Sequence, residues 1–306
     1  MAAAKRLLVI GSYNRDTVLS VPHFPAPGET LRAGDARGFH GGKGSNQAVQ
    51  AARFGASVSL IAAIGQDAAG TEAIGLWRAE GIDTALVSRI ADAPTGSATI
   101  LVDRAGENLI VVAPGANDRL PFEVAHEEAI AGASIVLAQL ETPAEATIAA
   151  FACARRHGVR TMLNAAPMPD RVPVGLLELT DIVAVNAIEA AMLVRALGAE
   201  DAPEALLDHV AEAVLLTQGS RGATLYRRDC TPLAQPAPHI EAVDTTGAGD
   251  ALTGAFAAQL AATGDWAAAL GWGVAAGAHA CTVAGAVPSF GGPDAIAAFL
   301  AAGASA

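Results

Sequence analysis

Val243-Asp-Thr-Thr-Gly-Ala-Gly-Asp250 runs straight into an apolar, alanine-rich helical pattern. A turn of small residues that opens a helix leaves backbone N–H groups unpaired and pointing one way. It also stands at the positive end of the helix dipole, which makes it an anion site. A carboxylate, Asp250, sits beside that turn and would repel a bound anion. Its place is explained if it takes a proton from a nucleophile that then attacks the anion. Gly247, Ala248, Gly249 and Asp250 therefore read as a place where a hydroxyl meets a phosphoryl group.

A second glycine-rich stretch, Gly41-Gly-Lys-Gly-Ser-Asn46, opens another helical pattern. Its glycines permit close backbone approach to a ligand, and Lys43 and Asn46 add hydrogen-bonding groups to the same turn. The stretch is not a Walker A loop, because Gly44 follows Lys43 and no glycine stands five residues before Gly42. Nor does Gly247-Ala-Gly249 extend to a dinucleotide fingerprint, since Leu252 occupies the third glycine position. Alone, the Gly41–Asn46 stretch fits a ligand loop and a plain helix start equally well. Asn14 and Asp16 suit a polyol or an Asx turn. Glu141 fits a ligand contact or a first-turn acid. Asn186 and Glu189 fit a phosphate-side pair or a helix cap. Thr217-Gln-Gly-Ser-Arg-Gly222 fits a nucleotide ledge or a simple hairpin turn.

The elements that must position these residues alternate. Strands are predicted at Leu7–Gly11, Val58–Ala62, Ile135–Ala138, Arg160–Leu163, Ile182–Val185 and Val214–Thr217. Helices are predicted at Ser45–Phe54, Gly70–Glu80, Pro143–His157, Ala187–Leu197, Ala248–Ala262 and Trp266–Thr282. Such alternation implies an α/β fold with a mainly parallel central sheet and helices on both faces. Ligands in such folds bind at the C-terminal strand ends, where Asn14, Glu141, Asn164, Asn186 and Thr217 fall. Two β-rich segments, around residues 15–40 and 96–113, break the alternation, the second as a hairpin. They are expected to form a small β-sheet lid on a single domain spanning 1–306.

Composition narrows the class. The chain has 306 residues, 52% of them apolar, only 4% aromatic, with a formal charge of −12. That balance argues against nucleic acid and anionic membranes as partners. Cys153, Cys230 and Cys281 match no metal-ligand spacing and read as reduced, buried thiols of a cytoplasmic protein. The apolar run after Met1-Ala-Ala-Ala-Lys-Arg is too short for a signal-peptide core. Trp266–Pro293 lacks charged residues, but it is rich in Ala and Gly and contains His279 and Pro288. It reads as a buried helix and loop rather than a membrane span.

Together these motifs resemble one family. Ser12-Tyr-Asn14-Arg-Asp16, Pro27-Gly-Glu-Thr30, Gly41 to Ala48, Gly106-Glu-Asn-Leu-Ile-Val-Val, Pro114-Gly-Ala-Asn117, Gln139-Leu-Glu141, Asn186-x-x-Glu189, Thr217 to Gly222 and Val243 to Asp250 stand in the order found in PfkB-type, ribokinase-like carbohydrate kinases. The likeness covers essentially the whole chain. It implies ATP-dependent phosphorylation of D-ribose at its 5-hydroxyl, with Asp250 as general base and Gly247, Ala248 and Gly249 as anion hole. It further implies sugar contacts at Asn14, Asp16, Gly42, Lys43, Asn46, Glu141 and Asp250. ATP contacts are implied at Asn186, Thr217, Gly219, Ser220, Arg221, Gly222 and Gly249, with Glu189 near Mg²⁺. A monovalent-cation site for K⁺ is implied at Asp244, Thr246, Ala280, Val283, Gly285 and Ser289, and a homodimer through the lid. Val185, Ala187, Ala165 and Val274 depart from the family pattern on the nucleotide side. The alternatives are a kinase for another pentose, a hexose or a nucleoside, for which Tyr13 is the one aromatic near the sugar motif, and a non-catalytic sugar or nucleotide sensor.

Overall fold

The computed structural model describes residues 6–169, 171–173, 175–199 and 202–303. The leader expectation rests partly on residues 1–5, which lie outside this range. In chain order the strands and helices are β1 (Arg6–Ile10), β2 (Asn14–Ser20), β3 (Asp35–Gly41), α1 (Lys43–Arg53), β4 (Ser57–Gly65), α2 (Ala68–Ala79), β5 (Val87–Ile90), β6 (Ser97–Val102), β7 (Asn108–Ala113), α3 (Val124–Ala131) and β8 (Ile135–Ala138). There follow α4 (Ala144–Arg156), β9 (Arg160–Asn164), β10 (Ile182–Asn186), α5 (Ala187–Leu197), β11 (Ala213–Thr217), β12 (Ala223–Arg227), β13 (Leu233–Gln235), α6 (Ala248–Thr263), α7 (Trp266–Ala280), α8 (Ala286–Ser289) and α9 (Pro293–Gly303).

The main sheet has the order β13-β12-β11-β10-β9-β8-β1-β4-β5. Its pairs are parallel from β11 to β5, and β12 and β13 add an antiparallel edge. A strand covered on both faces must be apolar along its whole length. In β1, Leu7 and Val9 enter one core while Leu8 and Ile10 enter the other. The first core takes its helical side from α1, α2, α6 and α7; the second takes Ile130, Phe151 and Leu193 from α3, α4 and α5. The expected α/β fold with helices on both faces is what the chain adopts.

The charge-free stretch after Trp266 is a helix of the first core. Ala269, Ala275 and Ala276 of α7 are buried there. A Cβ at Gly277 would sit 3.1 Å from the Ala248 carbonyl oxygen of α6, so small residues set the close spacing of α7 on α6. Among the described residues no helix is long and apolar enough to cross a membrane.

The two β-rich segments pair into a second sheet of order β3-β2-β6-β7. Pairs β2–β3 and β6–β7 are antiparallel, and β2–β6 is parallel. One strand of it is conspicuously bare: Leu109, Ile110, Val111 and Val112 of β7 are 41–61% exposed. Sequence patterning missed α3, β5, β13, α8 and α9. These are short or alanine-rich segments whose apolar positions show little period. The thiols are all free, as expected, but only Cys153 is buried: Cys281 is half-buried and Cys230 is exposed.

Candidate active site

Helix α6 is capped at its N-terminus by Gly247, whose φ of 79° is left-handed. A Cβ there would also lie 2.7 Å from the Ala286 methyl, so both backbone and space call for glycine. The N–H of Ala248 is taken by the Thr245 carbonyl at 3.2 Å. The N–H groups of Gly247 and Gly249 have no acceptor among the described residues and remain for an anion. This turn walls a cavity of about 220 Å³, together with Lys43, Asn164, Asn186, Glu189 and Asp250.

Asp250 is buried, with 6% of its surface exposed. Asn46 Nδ2 donates to its Oδ2 at 2.9 Å, and Gln47 Nε2 donates to its Oδ1 at 2.9 Å. Both donors come from the first turns of α1. Lys43, one turn earlier, enters the same cavity. Asp250 foremost holds the Lys43 ammonium above its ordinary pKa; burial opposes this, and Glu141 and Glu189 add to it.

The start of α1 is locked to the end of β1. Gly42 has φ 87°, and a Cβ there would lie 2.6 Å from the Tyr13 Cα. Glu141 Oε2 accepts from Ser12 Oγ at 2.5 Å and from the Lys43 N–H at 2.8 Å. Asn14 is fixed by Asn117 Nδ2, which donates to its Oδ1 at 3.0 Å. The Asp16 carboxylate packs on Gly41, where a Cβ would be 2.1 Å from Asp16 Oδ2. Its Oδ1 is buried and has no hydrogen-bond partner among the described residues. Burial first, and repulsion from Glu141 second, push the Asp16 carboxyl up to about 7, against the pull of Arg15. Tyr13, by contrast, faces away from these groups. It is wholly buried, edge-on to Trp77, with its hydroxyl 2.8 Å from His40 Nδ1.

A second cavity, about 410 Å³, adjoins the first and shares Thr217, Thr245 and Gly249 with it. Its walls are largely apolar, with Pro238, Ile240, Leu252 and Val274, and its rim carries Gly219, Ser220 and Gly222. Arg221, expected among the nucleotide contacts, lines neither cavity. Asn186 and Glu189 form the helix cap that was one of their two readings. Asn186 Oδ1 accepts from the Glu189 N–H at 2.8 Å, and Glu189 Oε2 accepts from the Asn186 N–H at 2.8 Å. The two also line the smaller cavity, so the cap and the ligand reading describe the same residues. Burial raises the Glu189 carboxyl; the Asn186 N–H and Lys43 counter it, and Asp250 adds to the rise.

Behind α6, Asp244 Oδ1 accepts from the Thr246 N–H at 2.9 Å and from Thr246 Oγ1 at 2.6 Å. Its Oδ2 accepts from the Gly285 N–H at 2.8 Å. Burial would raise the Asp244 carboxyl, but these three bonds overcome it and hold the group below its ordinary pKa. Ser289 is buried on α8, Ala280 is buried at the end of α7, and Val283 is 42% exposed. Among the described residues no cluster of three His, Cys, Asp or Glu side chains could hold a metal ion.

Residues 4–290 match the model of the pfkB family carbohydrate kinases. A Haemophilus influenzae ribokinase is 38% identical over 295 residues, 93% of this chain and 95% of the relative. The chain belongs to the pfkB family of carbohydrate kinases. A bifunctional ribokinase/ribose-5-phosphate isomerase A from Fructilactobacillus sanfranciscensis is 40% identical over 267 residues, 84% of this chain; the match spans about half, 48%, of that longer protein. An Arabidopsis thaliana ribokinase solved with ribose and ATP superposes with a TM-score of 0.89 at 28% identity, covering 97% of this chain and 99% of that one.

Gln47, Ser12, Asn117 and Gln139 were not among the expected site residues of this kinase, and Asn164 was expected only at a ligand-binding strand end, without a role. For Gln47 a signal existed. Lys43, Asn46, Gln47 and Gln50 make a polar stripe at helical spacing along α1, and three of the four are buried. Asp16 yields a test of the site's electrostatics. Its pKa is raised on folding, so the folded chain binds that proton more tightly than the unfolded chain. Its contribution to stability is therefore present below about pH 4 and is lost as pH rises towards 7. Without sugar, Asp16→Asn is expected to be more stable than the parent above pH 7, by at most about 4 kcal/mol. The advantage should shrink towards pH 4. Urea unfolding at both pH values checks this.

Proposed function

We propose that the chain phosphorylates D-ribose at the 5-hydroxyl with ATP, giving D-ribose 5-phosphate and ADP. One observation carries this reading: a buried carboxylate, Asp250, one step along α6 from the free N–H of Gly249, with polar groups for a sugar on one side and an apolar cavity on the other. The sugar would lie against Asn14, Asp16, Gly42, Lys43, Asn46 and Glu141, a set rich in acceptors and donors for hydroxyls. Tyr13 is sealed against Trp77 and offers no shelf to a nucleobase, which favours a sugar over a nucleoside. Adenosine would fill the larger cavity, with its phosphates passing Thr217 and Gly249 into the smaller one. Val274 would make an apolar contact there.

In the transfer, Asp250 takes the proton of the 5-hydroxyl. The freed oxygen bonds to the γ-phosphorus, and the bond from that phosphorus to the bridging oxygen breaks, leaving ADP. The N–H groups of Gly247 and Gly249, with Lys43, face the charge that spreads over the transferring group. In this geometry Ala248 contributes its place in the turn more than a free N–H. Glu189 suits Mg²⁺, an ion commonly held by one or two carboxylates plus the substrate's own phosphates. The donors for a monovalent cation would be oxygens: the Asp244 carboxylate, Thr246, Ser289 and the carbonyls of Ala280, Val283 and Gly285. Such a set fits K⁺, whose bound charge supports an adjoining anion site. The bare face of β7 would be covered by a second copy of the chain through the lid sheet.

Asp250→Asn is expected to lower kcat by about 10² to 10⁴, with KM for ribose within about threefold; near-normal turnover would place the base elsewhere. ADP release measured over pentoses, hexoses and nucleosides should favour D-ribose and rise with K⁺ over Na⁺. A strong preference for another acceptor removes the ribose reading, and a flat K⁺ response removes the cation site. Sedimentation should show a dimer for the parent and a monomer for Val111→Asp; equal masses would contradict the lid interface.

A further inference from the structure

The stripe on α1 holds a group that the transfer above does not use. Gln47 is wholly buried, where an amide is costly unless its donors and acceptor are met. Its Nε2 donates to Asp250 Oδ1 at 2.9 Å and to Asn164 Oδ1 at 2.9 Å. Its Oε1 accepts from Gln139 Nε2 at 2.7 Å. Asn164 is held in turn by its Nδ2, which donates to the Ala184 carbonyl at 3.2 Å. An ionised carboxylate only accepts, so the nitrogen end of the Gln47 amide must face Asp250. Gln139, just beyond β8, donates to the other end and keeps the amide from turning over.

The arrangement is retained at some cost. Gln139 Oε1 and Asn46 Oδ1 are both buried without a partner among the described residues. Gly11 leaves the space Gln139 needs, since a Cβ there would stand 2.2 Å from Gln139 Oε1. A chain of amides thus runs from the central sheet through α1 to the carboxylate. Asn46 holds one oxygen of that carboxylate and Gln47 the other, which fixes its rotation and leaves its remaining lone pairs to the cavity.

We propose that Gln47, aligned by Gln139, is a positioning residue that holds the Asp250 carboxylate in the orientation that receives the sugar's proton. The proposal rests on the reading of Asp250 as the base. A residue acting through Asp250 must lose its effect once Asp250 can no longer accept the proton, whereas one that only supports the fold keeps it.

The test is a double-mutant cycle on full-length protein: parent, Gln47→Met, Asp250→Asn and the double variant. ADP release is followed with D-ribose and ATP. In the parent background Gln47→Met should lower kcat by about 10- to 100-fold, as misplacing a reacting group does, with both KM values within about threefold. In the Asp250→Asn background it should cost less than about threefold. Equal losses in the two backgrounds, or a loss confined to KM, overturn the proposal while leaving Asp250 as base. Near-normal turnover of Asp250→Asn alone overturns the base assignment and this inference with it. If Gln47→Met fails to fold by circular dichroism, Gln139→Met replaces it in the same cycle and is judged by the same outcomes.

Discussion

A carboxylate buried at the first turn of a helix has to be hydrogen-bonded, and in this chain the donors for Asp250 come from a different helix. That one requirement joins α1 to α6 at their N-terminal ends. The two can meet only because their contact is built from small residues. A Cβ at Gly254 of α6 would sit 2.6 Å from the Gln47 carbonyl oxygen. The packing of the first core and the placement of the reacting groups are therefore one constraint, and a larger side chain at this contact would disturb both.

The same constraint explains how an acidic protein can take a polyphosphate. The chain carries a formal charge of −12, and three acids surround Lys43. In the proposed reading, the positive side of the site would come chiefly from backbone, at the opened turn of α6, with Lys43 as its local point charge. The acids nearest the site are themselves occupied. Glu141 ties β1 to α1, Glu189 caps α5, and Asp244 secures the loop before α6 to Gly285. Much of the local charge thus holds loops at the strand ends in place, and the substrate meets what remains.

Much of this was legible in the sequence. The alternation of β1, β4 and β8 to β11 with α1, α2 and α4 to α7 could be read because each strand has a short apolar centre and each helix is long enough to show its period. Gly247 to Asp250 could be read because a glycine turn, a helix start and an acid leave few chemical explanations. Three things were hidden for physical reasons. The direction of Tyr13 depends on Trp77 and His40, which are remote in sequence. The engagement of the Ala248 N–H depends on the local path of the turn. Gln47 was hidden because the polar stripe it shares along α1 does not reveal what it faces, and only its neighbours Gln139, Asn164 and Asp250 give it a purpose.

The central claim is that these elements converge so that one hydroxyl of one sugar meets the γ-phosphorus. Phosphorus NMR of the product formed from D-ribose and ATP tests it directly, because it reports which carbon bears the new phosphate. The account predicts a single product, phosphorylated at the 5-oxygen, in equal amount to the ADP formed. Phosphate on another carbon, or ADP formed with inorganic phosphate and no sugar phosphate, would contradict it.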